Sequence, residues 1–296
     1  MRPFELAEPA SLDEAVTLLR EDEAARPIAG GTALLLMVKA GLFQPETLIS
    51  LRRLRPELAG ITRQDDGSLR IGAMTSLTEL GRSPLVREMF PVITHTLRTL
   101  SNVRIRNVAT LGGHLAHGDP HMDLPPVLLC LGARVRVRGP RGERWIGLED
   151  LYAGYYETTL ARDELITEVV LPAPPPRSAA TYVKFTALSA DDWPAVGVAV
   201  SAARHDGGQV LGDVRVALGA ATERALRLAS VEAQLEGKAP SAELVRQAGD
   251  AAAQEVRPLG DLRGSAEYKR EMVRVHARRA VDAVLAALAF SEEAVR

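Results

Sequence analysis

The sequence predicts an α+β protein with a larger N-terminal domain and a smaller C-terminal domain. Short strands and helices alternate over residues 1–52, and strands with a two-residue apolar alternation occur between residues 53 and 171. After residue 177 the pattern gives strands first and helices afterwards. The length of 296 residues is ordinary for two domains.

The composition excludes several classes of protein. Hydrophobic residues make up 46% of the chain, yet no uninterrupted apolar stretch reaches the ~18 residues that a membrane span requires. The net charge of -2 disfavours a general nucleic-acid binder. The single cysteine, Cys130, excludes an intrachain disulfide and an iron–sulfur cluster held by the chain's own four thiolates. The N-terminal residues lack the order of a secretory signal, so a cytoplasmic location is expected.

The first 52 residues predict a small α/β unit. Ser11 followed by Glu14 matches a capping box, which predicts a helix from Leu12 onward. The elements that follow are a strand at 26–29, a glycine turn at 30–32, a helix at 33–40 that ends at Gly41, and a strand at 47–51.

The sequence pattern over residues 53–171 predicts antiparallel strands with one solvent-exposed face, together with three helices. The strands are expected at 69–73 and 133–138, with a turn at 139–142 and a returning strand near 144–146. The helices are expected at 76–82, 84–90 and 92–100.

Four prolines within residues 172–176 mark the best domain boundary, because proline disrupts both helices and strands. We therefore expect one domain at 1–176, with subdomains of about 1–52 and 53–171, and a second at 177–296. In the second domain the sequence pattern predicts a three-stranded meander at 182–186, 195–203 and 214–218. Three helices are then expected at 225–235, 241–256 and 265–290.

Two hydroxyl–glycine segments are candidates for binding phosphate. Residues 29–32 read Ala-Gly-Gly-Thr between a strand and a helix, where successive N–H groups can point at an anion. Residues 110–114 read Thr-Leu-Gly-Gly-His and lead into a stretch rich in Gly, Pro and His. Either glycine pair, taken alone, is also explained as a tight turn. Together they predict a dinucleotide site, with Asp123 accepting hydrogen bonds from sugar hydroxyls.

A metal site is the main alternative for the second segment. His114, His117, His121, Asp119 and Asp123 are all possible ligands, and the three histidines would share a face if the segment were helical. Gly118 and Pro120 disfavour a continuous helix, and no HExxH motif occurs. Solvated loop histidines are the third interpretation.

Four segments share their order and spacing with a known family. The chain resembles the FAD-binding medium subunit of the molybdenum hydroxylases, the family of aerobic carbon monoxide dehydrogenase and xanthine dehydrogenase, from about Phe4 to Ala287. The segments are PIAGGTALL at 27–35, NVRIRNVATLGGHLAHGDPHMDLPPVLL at 102–129, LARDELITEVVLP at 160–172 and YVKFTALSADDWPAVGVAV at 182–200.

The resemblance implies a PCMH-type FAD-binding domain, made of a small α/β subdomain and a mostly antiparallel α/β subdomain. A carbon monoxide dehydrogenase flavoprotein-type C-terminal domain follows, with a three-stranded antiparallel sheet and a three-helix bundle. The implied cofactor is FAD. No catalytic residue and no metal ligand are assigned.

The resemblance also implies which residues contact FAD. A first loop comprises Pro27, Ile28, Ala29, Gly30, Gly31, Thr32, Ala33 and Leu34, and a second comprises Thr110, Gly112, Gly113, His114 and His117. Further positions are Leu100 and Ile166, which pack around the cofactor, Asp123 on its adenosine or ribityl side, Lys184 near the flavin, and Trp193 beside the isoalloxazine ring. For Trp193 a core aromatic is the alternative.

Among the positions that depart from the family pattern are His114 and Asp119. His114 stands where relatives usually have Asn. Asp119 would place a negative charge near a diphosphate, which is unfavourable unless the carboxylate turns away or His117 or His121 compensates it.

The resemblance implies an electron-transfer role. A large molybdopterin-binding subunit oxidises the substrate, a small [2Fe–2S] subunit relays the electrons, and the FAD on this chain passes them to NAD+, a quinone or oxygen. The implied assembly is a dimer of heterotrimers. Two alternatives stay open: a stand-alone NAD(P)H-dependent flavin reductase, and a non-catalytic assembly subunit that has lost FAD.

Overall fold

A computed structural model describes residues 3–293 of the chain. The N-terminal unit is a parallel three-stranded sheet in the order β1-β3-β2, with two helices in its connections. Its elements are β1 (Glu5–Ala7), α1 (Leu12–Glu21), β2 (Arg26–Ile28), α2 (Leu34–Lys39) and β3 (Thr47–Ser50). The four elements from α1 to β3 match the predicted order. Within residues 3–293 no helix has the length and hydrophobicity needed to cross a membrane.

The predicted capping box at α1 is only half correct. The Ser11 hydroxyl caps the helix by accepting from the Glu14 N–H at 3.2 Å. The Glu14 carboxylate, however, accepts from the N–H of Ala10 rather than of Ser11. The helix therefore begins as predicted, with the reciprocal bond displaced by one residue.

The middle of the chain forms a five-stranded antiparallel sheet in the order β4-β5-β10-β6-β7. The strands are β4 (Ile61–Arg63), β5 (Leu69–Gly72), β6 (Arg134–Gly139), β7 (Gly142–Gly147) and β10 (Leu165–Leu171), and a separate pair is β8 (Tyr152–Gly154) with β9 (Glu157–Thr158). The central strand β10 is missing from the sequence-based prediction. All seven of its residues are buried, so it lacks the alternation of a half-solvated strand.

Eight helices pack around this sheet within the described residues. They are α3 (Arg55–Leu58), α4 (Leu77–Arg82), α5 (Pro84–Met89), α6 (Pro91–Thr99), α7 (Val103–Val108), α8 (Leu111–Ala116), α9 (Leu124–Cys130) and α10 (Leu148–Leu151). The predicted helices correspond to α4, α5 and α6. Helices α7, α8 and α9 were not predicted, because α7 buries no residue, α8 contains two glycines, and α9 opens with two prolines and is buried all round.

The C-terminal part is an antiparallel sheet followed by helices. The strands, in spatial order, are β11 (Ser178–Phe185), β12 (Val196–His205), β13 (Val210–Gly219) and β14 (Leu226–Arg227), and the helices are α11 (Ala229–Leu235), α12 (Ala242–Glu255) and α13 (Ala266–Glu293). The predicted meander is β11 to β13. The two-residue β14 adds a fourth strand, so the first helix starts at Ala229 and not at residue 225.

Helix α9 joins the two halves of the molecule. It belongs to the large N-terminal core cluster, which also contains Tyr182, Ala199 and Ala217 from the C-terminal sheet. The Cys130 thiol donates to the carbonyl oxygen of Ala199 at 3.1 Å. A shared core therefore fixes the C-terminal sheet against the residues that precede α9.

Candidate functional site

The two glycine segments lie against each other. A Cβ atom placed on Gly30 would stand 2.2 Å from the carbonyl oxygen of Val108, and one placed on Gly113 would stand 3.5 Å from Cβ of Ala29. Only glycine permits the first approach, because any side chain at residue 30 would collide with backbone. The structure thus brings together residues that are about 80 positions apart in the sequence.

The first segment keeps four backbone donors free. Strand β2 ends at Ile28, and Gly31 has a φ of 67°, which turns the chain into α2. The first helical bond runs from the Leu35 N–H to the Gly31 oxygen at 3.0 Å. The N–H groups of residues 31–34 donate to no acceptor in residues 3–293. These groups can bind an anion without breaking any bond.

The second segment is helical, and its donors are already used. Thr110 is the N-cap of α8, and its hydroxyl accepts from the Gly113 N–H at 3.2 Å. The Gly112 N–H donates to the Ala73 oxygen at 2.8 Å, and the His114 N–H donates to the Thr110 oxygen at 2.9 Å. The peptide N–H groups of Gly112, Gly113 and His114 therefore already donate within the chain, to the Ala73 oxygen, the capping hydroxyl of Thr110 and the Thr110 oxygen, respectively. The assignment of the second pair to the cofactor stays a prediction.

His114 and His117 follow on the same short helix. Burial lowers the pKa of His114 to about 4 and also lowers the pKa of His117. The Nε2 atom of His114 is buried and has no hydrogen-bond partner in the described chain. The ring of His117 packs edge-on against Tyr156, with 5.2 Å between the ring centroids. His114 is therefore a neutral group with one unused polar atom, and it adds no charge to the site.

Asp123 and Lys184 form a buried ion pair between the two halves of the chain. The Asp123 carboxylate accepts from Lys184 Nζ at 3.0 Å and from the Tyr182 hydroxyl at 2.7 Å. Lys184 also donates to the carbonyl oxygen of Thr99 at 2.9 Å. Burial raises the pKa of Asp123, and the charge of Lys184 opposes that effect. The pair has no net charge, so Lys184 does not present an isolated cation to a ligand.

Leu100 and Ile166 are buried members of the N-terminal core. Leu100 ends α6, and its carbonyl oxygen accepts from Arg106 at 2.9 Å. Ile166 lies on β10 opposite Val137. Both can shape the wall of a pocket, since their side chains are fixed by packing.

Trp193 lies on the surface. It is 50% exposed, so the alternative of a core aromatic is wrong. The guanidinium carbon of Arg263 lies 5.9 Å from the centroid of its ring. An exposed aromatic face next to a cation is available for stacking.

The carboxylate of Asp119 is compensated. It accepts from the N–H of His121 at 2.9 Å and from His121 Nδ1 at 3.0 Å. The other ring nitrogen of His121 lies 3.1 Å from a carboxylate oxygen of Asp261. Within residues 3–293 no three His, Cys, Asp or Glu side chains are arranged to hold a metal ion. The side chains that were considered as metal ligands either hydrogen-bond to one another, as Asp119 and His121 do, or lie apart.

Several residues of the site carry no local sequence signal. They reach it over long separations: Tyr182 bonds to Asp123 from 59 residues away, and Asp261 bonds to His121 from 140 residues away. Tyr156 and Arg263 likewise stand outside the glycine segments. Only the tertiary fold brings these groups together.

Two family models cover most of the chain. The FAD binding domain of molybdopterin dehydrogenases matches residues 2–174, and the C-terminal domain of carbon monoxide dehydrogenase flavoproteins matches residues 180–284. The chain belongs to the family of FAD-binding medium subunits of molybdenum hydroxylases.

Known relatives match this medium subunit over nearly its whole length. The carbon monoxide dehydrogenase medium chain of Hydrogenophaga pseudoflava is 35% identical over 96% of this chain and 97% of its own. The nicotine 6-hydroxylase medium subunit of Paenarthrobacter nicotinovorans is 36% identical over 93% and 95%, respectively. A solved structure of the Hydrogenophaga enzyme, in a form lacking the Mo-pyranopterin moiety of its cofactor, gives a TM-score of 0.92 at 36% identity over 97% of this chain and 99% of that one.

The residues of this medium subunit fit FAD, the cofactor of the family. Four unbonded N–H groups at 31–34 suit a diphosphate, and the exposed face of Trp193 suits a flat ring. The unused Nε2 atom of His114 offers one more hydrogen bond. The Asp119 carboxylate is held by His121, from whose backbone N–H it accepts a hydrogen bond at 2.9 Å.

The lowered pKa of His114 predicts a measurable pH dependence of stability. Between pH 6.5, the ordinary pKa of histidine, and pH about 4, residue 114 is protonated in the unfolded chain and neutral in the folded chain. The free energy of unfolding therefore falls as the pH falls through this window, by about 1.4 kcal/mol per pH unit for this group. His114→Asn removes the contribution.

Urea unfolding of the flavin-free chain at pH 7, 6 and 5 measures this slope. We expect His114→Asn to be less sensitive to acid than the wild type, and His95→Asn, at an exposed position, to behave like the wild type. Equal slopes for the wild type and His114→Asn would contradict the neutral, buried imidazole.

Proposed function

We propose that this chain receives electrons from the [2Fe–2S] clusters of a small partner subunit and passes them to NAD+, a quinone or oxygen. A large molybdopterin-binding subunit oxidises the substrate, and the three subunits form a dimer of heterotrimers in the cytoplasm. The observation that carries this proposal is the free donor set at residues 31–34 next to the second glycine segment. Near full-length similarity to medium subunits of multi-subunit enzymes supports the partners.

FAD supplies the redox chemistry when bound, because its ring accepts and donates electrons. The chain's own residues bind and orient it. The N–H groups of Gly31, Thr32, Ala33 and Leu34 hold the diphosphate, while Pro27, Ile28 and Ala29 position the loop through β2. Gly30 allows the loop to approach α7. Thr110 and Gly112 fix α8 to the sheet, and Gly113 leaves the helix surface open to the cofactor.

The remaining assignments place side chains along the cofactor. His114 and His117 contribute neutral hydrogen-bonding groups, and Trp193 covers one face of the ring. Leu100 and Ile166 form an apolar wall of the cofactor site. Asp123 and Lys184 act as a neutral pair that contacts the ribityl or adenosine side and holds β11 against α9. No side chain of this chain acts as an acid, base or nucleophile. We place the domain boundary at the proline segment, giving domains 1–176 and 177–296.

The loop assignment predicts different effects of two matched glycine substitutions. Gly31 and Gly41 flank α2, with φ values of 67° and 73°, so alanine strains the backbone at both by about 1–2 kcal/mol. A Cβ at Gly31 would lie 2.9 Å from the end of the Ile28 side chain, which must shift beside the donor loop, whereas one at Gly41 meets no atom within 4 Å. We expect Gly31→Ala to weaken FAD binding about tenfold or more and Gly41→Ala to leave it unchanged.

The measurement is the flavin-to-protein ratio and the FAD dissociation constant of the chain co-produced with its partner subunits. Equal flavin content in Gly31→Ala and Gly41→Ala would show that residues 31–34 do not hold the diphosphate.

The electron-transfer role is tested by comparing the isolated chain with the assembly. Under anaerobic conditions we expect the dithionite-reduced assembly to be reoxidised by NAD+, a quinone or, on admission of air, oxygen. The isolated chain should not turn over NADH with an artificial dye. Multiple turnover by the isolated chain would instead establish a stand-alone flavin reductase, and a colourless assembly would establish a subunit that has lost FAD.

A further inference from the structure

A row of charged groups links the segment after α8 to the turn before α13 and the first turn of α13. Its members are Asp119, His121, Asp261 and Lys269. His121 lies 3.0 Å from Asp119 and 3.1 Å from Asp261, and Lys269 Nζ lies 2.9 Å from the same Asp261 oxygen. The Lys269 side chain is only 1% exposed. The family resemblance assigns no role to this row.

Hydrogen bonds hold the two carboxylates of this row in place. Those from His121 lower the pKa of Asp119 against the effect of burial, and those from Lys269 do the same for Asp261. The other polar groups that face the row are Tyr156 at Asp119, His117 beside Tyr156, and Arg263 at Asp261.

Asp261 also shapes the turn that carries Arg263. One of its carboxylate oxygens accepts from the Arg263 N–H at 2.8 Å, and its backbone exchanges hydrogen bonds with Gly264. Its other oxygen lies 3.6 Å from the Arg263 guanidinium. The guanidinium in turn lies over Trp193. The path from His121 to the exposed indole is therefore continuous through Asp261 and Arg263.

Arg263 carries a polar atom that the protein leaves unused. Its Nε atom is buried and has no hydrogen-bond partner within residues 3–293. A buried donor without an acceptor is unfavourable, and a ligand with carbonyl oxygens removes the penalty. A flat ring with carbonyl acceptors that stacks on Trp193 would supply them.

We propose that Asp261, held by His121 and Lys269, is a positioning residue that places Arg263 against Trp193, and that Arg263 thereby extends the wall that the proposed function forms from Trp193 at the isoalloxazine ring. The inference rests on the proposed function for the identity of the ring. The positioning of Arg263 is a property of the chain alone and can be measured without flavin.

The first experiment uses the flavin-free full chain in a Trp145→Phe background, where Trp193 is the remaining tryptophan. Acrylamide quenching of its fluorescence reports how far Arg263 covers the indole. We expect Asp261→Asn and Arg263→Gln to raise the quenching constant about twofold, because the cation leaves the ring. His205→Gln is the matched control, since it removes an exposed His–Asp contact of 3.0 Å elsewhere.

Arg263→Gln keeps the test decisive if Asp261→Asn fails to fold, because it leaves the ion pair of Asp261 with the buried Lys269 intact. Unchanged quenching in folded Arg263→Gln would overturn the proposed contact.

The second experiment measures FAD binding in the assembly. We expect Arg263→Gln to weaken FAD about tenfold, Arg263→Lys to recover part of the loss, and His205→Gln to match the wild type. Altered quenching with unaltered FAD affinity would show that the wall does not face the ring. A wild-type assembly without FAD would overturn the proposed function, while the quenching experiment would still decide whether Asp261 positions Arg263.

Discussion

The close approach of Gly30 to the backbone of Val108 is the constraint on which the site depends. The space at residue 30 admits a hydrogen atom and nothing larger, because the carbonyl oxygen of Val108 occupies the position of a side chain. This contact fixes the parallel unit of β1 to β3 against the end of α7 and the start of α8. Without it the donor loop and the surface of α8 would not form one site.

The two glycine pairs have different physical roles. Gly30 and Gly31 belong to a loop in which the N–H groups of residues 31–34 are unbonded, so this segment has donors available for an anion. Gly112 packs against Ala73, where an added Cβ would lie 2.6 Å from the alanine Cβ, and its N–H is already bonded to that residue. The second pair thus fixes a helix against the sheet. In the proposed site, the first segment binds the cofactor and the second supports it.

Much of the fold follows from local sequence signals. The cap at Ser11 and the glycine stop at Gly41 correctly predict helix limits, because they act through hydrogen bonds between near neighbours. Strand β10 and helix α9 were not predicted, because they are buried on all sides and their apolar residues therefore show no periodicity. Likewise, both glycine pairs are visible in the sequence, but the bonds to Ala73 and Thr110 that use the donors of the second pair are not.

The charged contacts could not be predicted from the sequence for another reason. The ion pair of Asp123 with Lys184 and the bridge from His121 to Asp261 join residues 61 and 140 positions apart. Their partners depend on how the C-terminal sheet and α13 pack on α9 and the loop before it. The exposure of Trp193 depends on the same packing. A resemblance can match these positions one by one, but only the fold shows that they compensate each other's charge.

Residue-resolved amide hydrogen exchange, with and without FAD, tests the division between binding loop and supporting helix most directly. The account predicts that FAD slows exchange strongly at the amides of residues 31–34, which are unbonded in the protein alone. The amides of residues 112–114 should already be protected and should change little. Protection that appears at 112–114 and not at 31–34 would contradict the account.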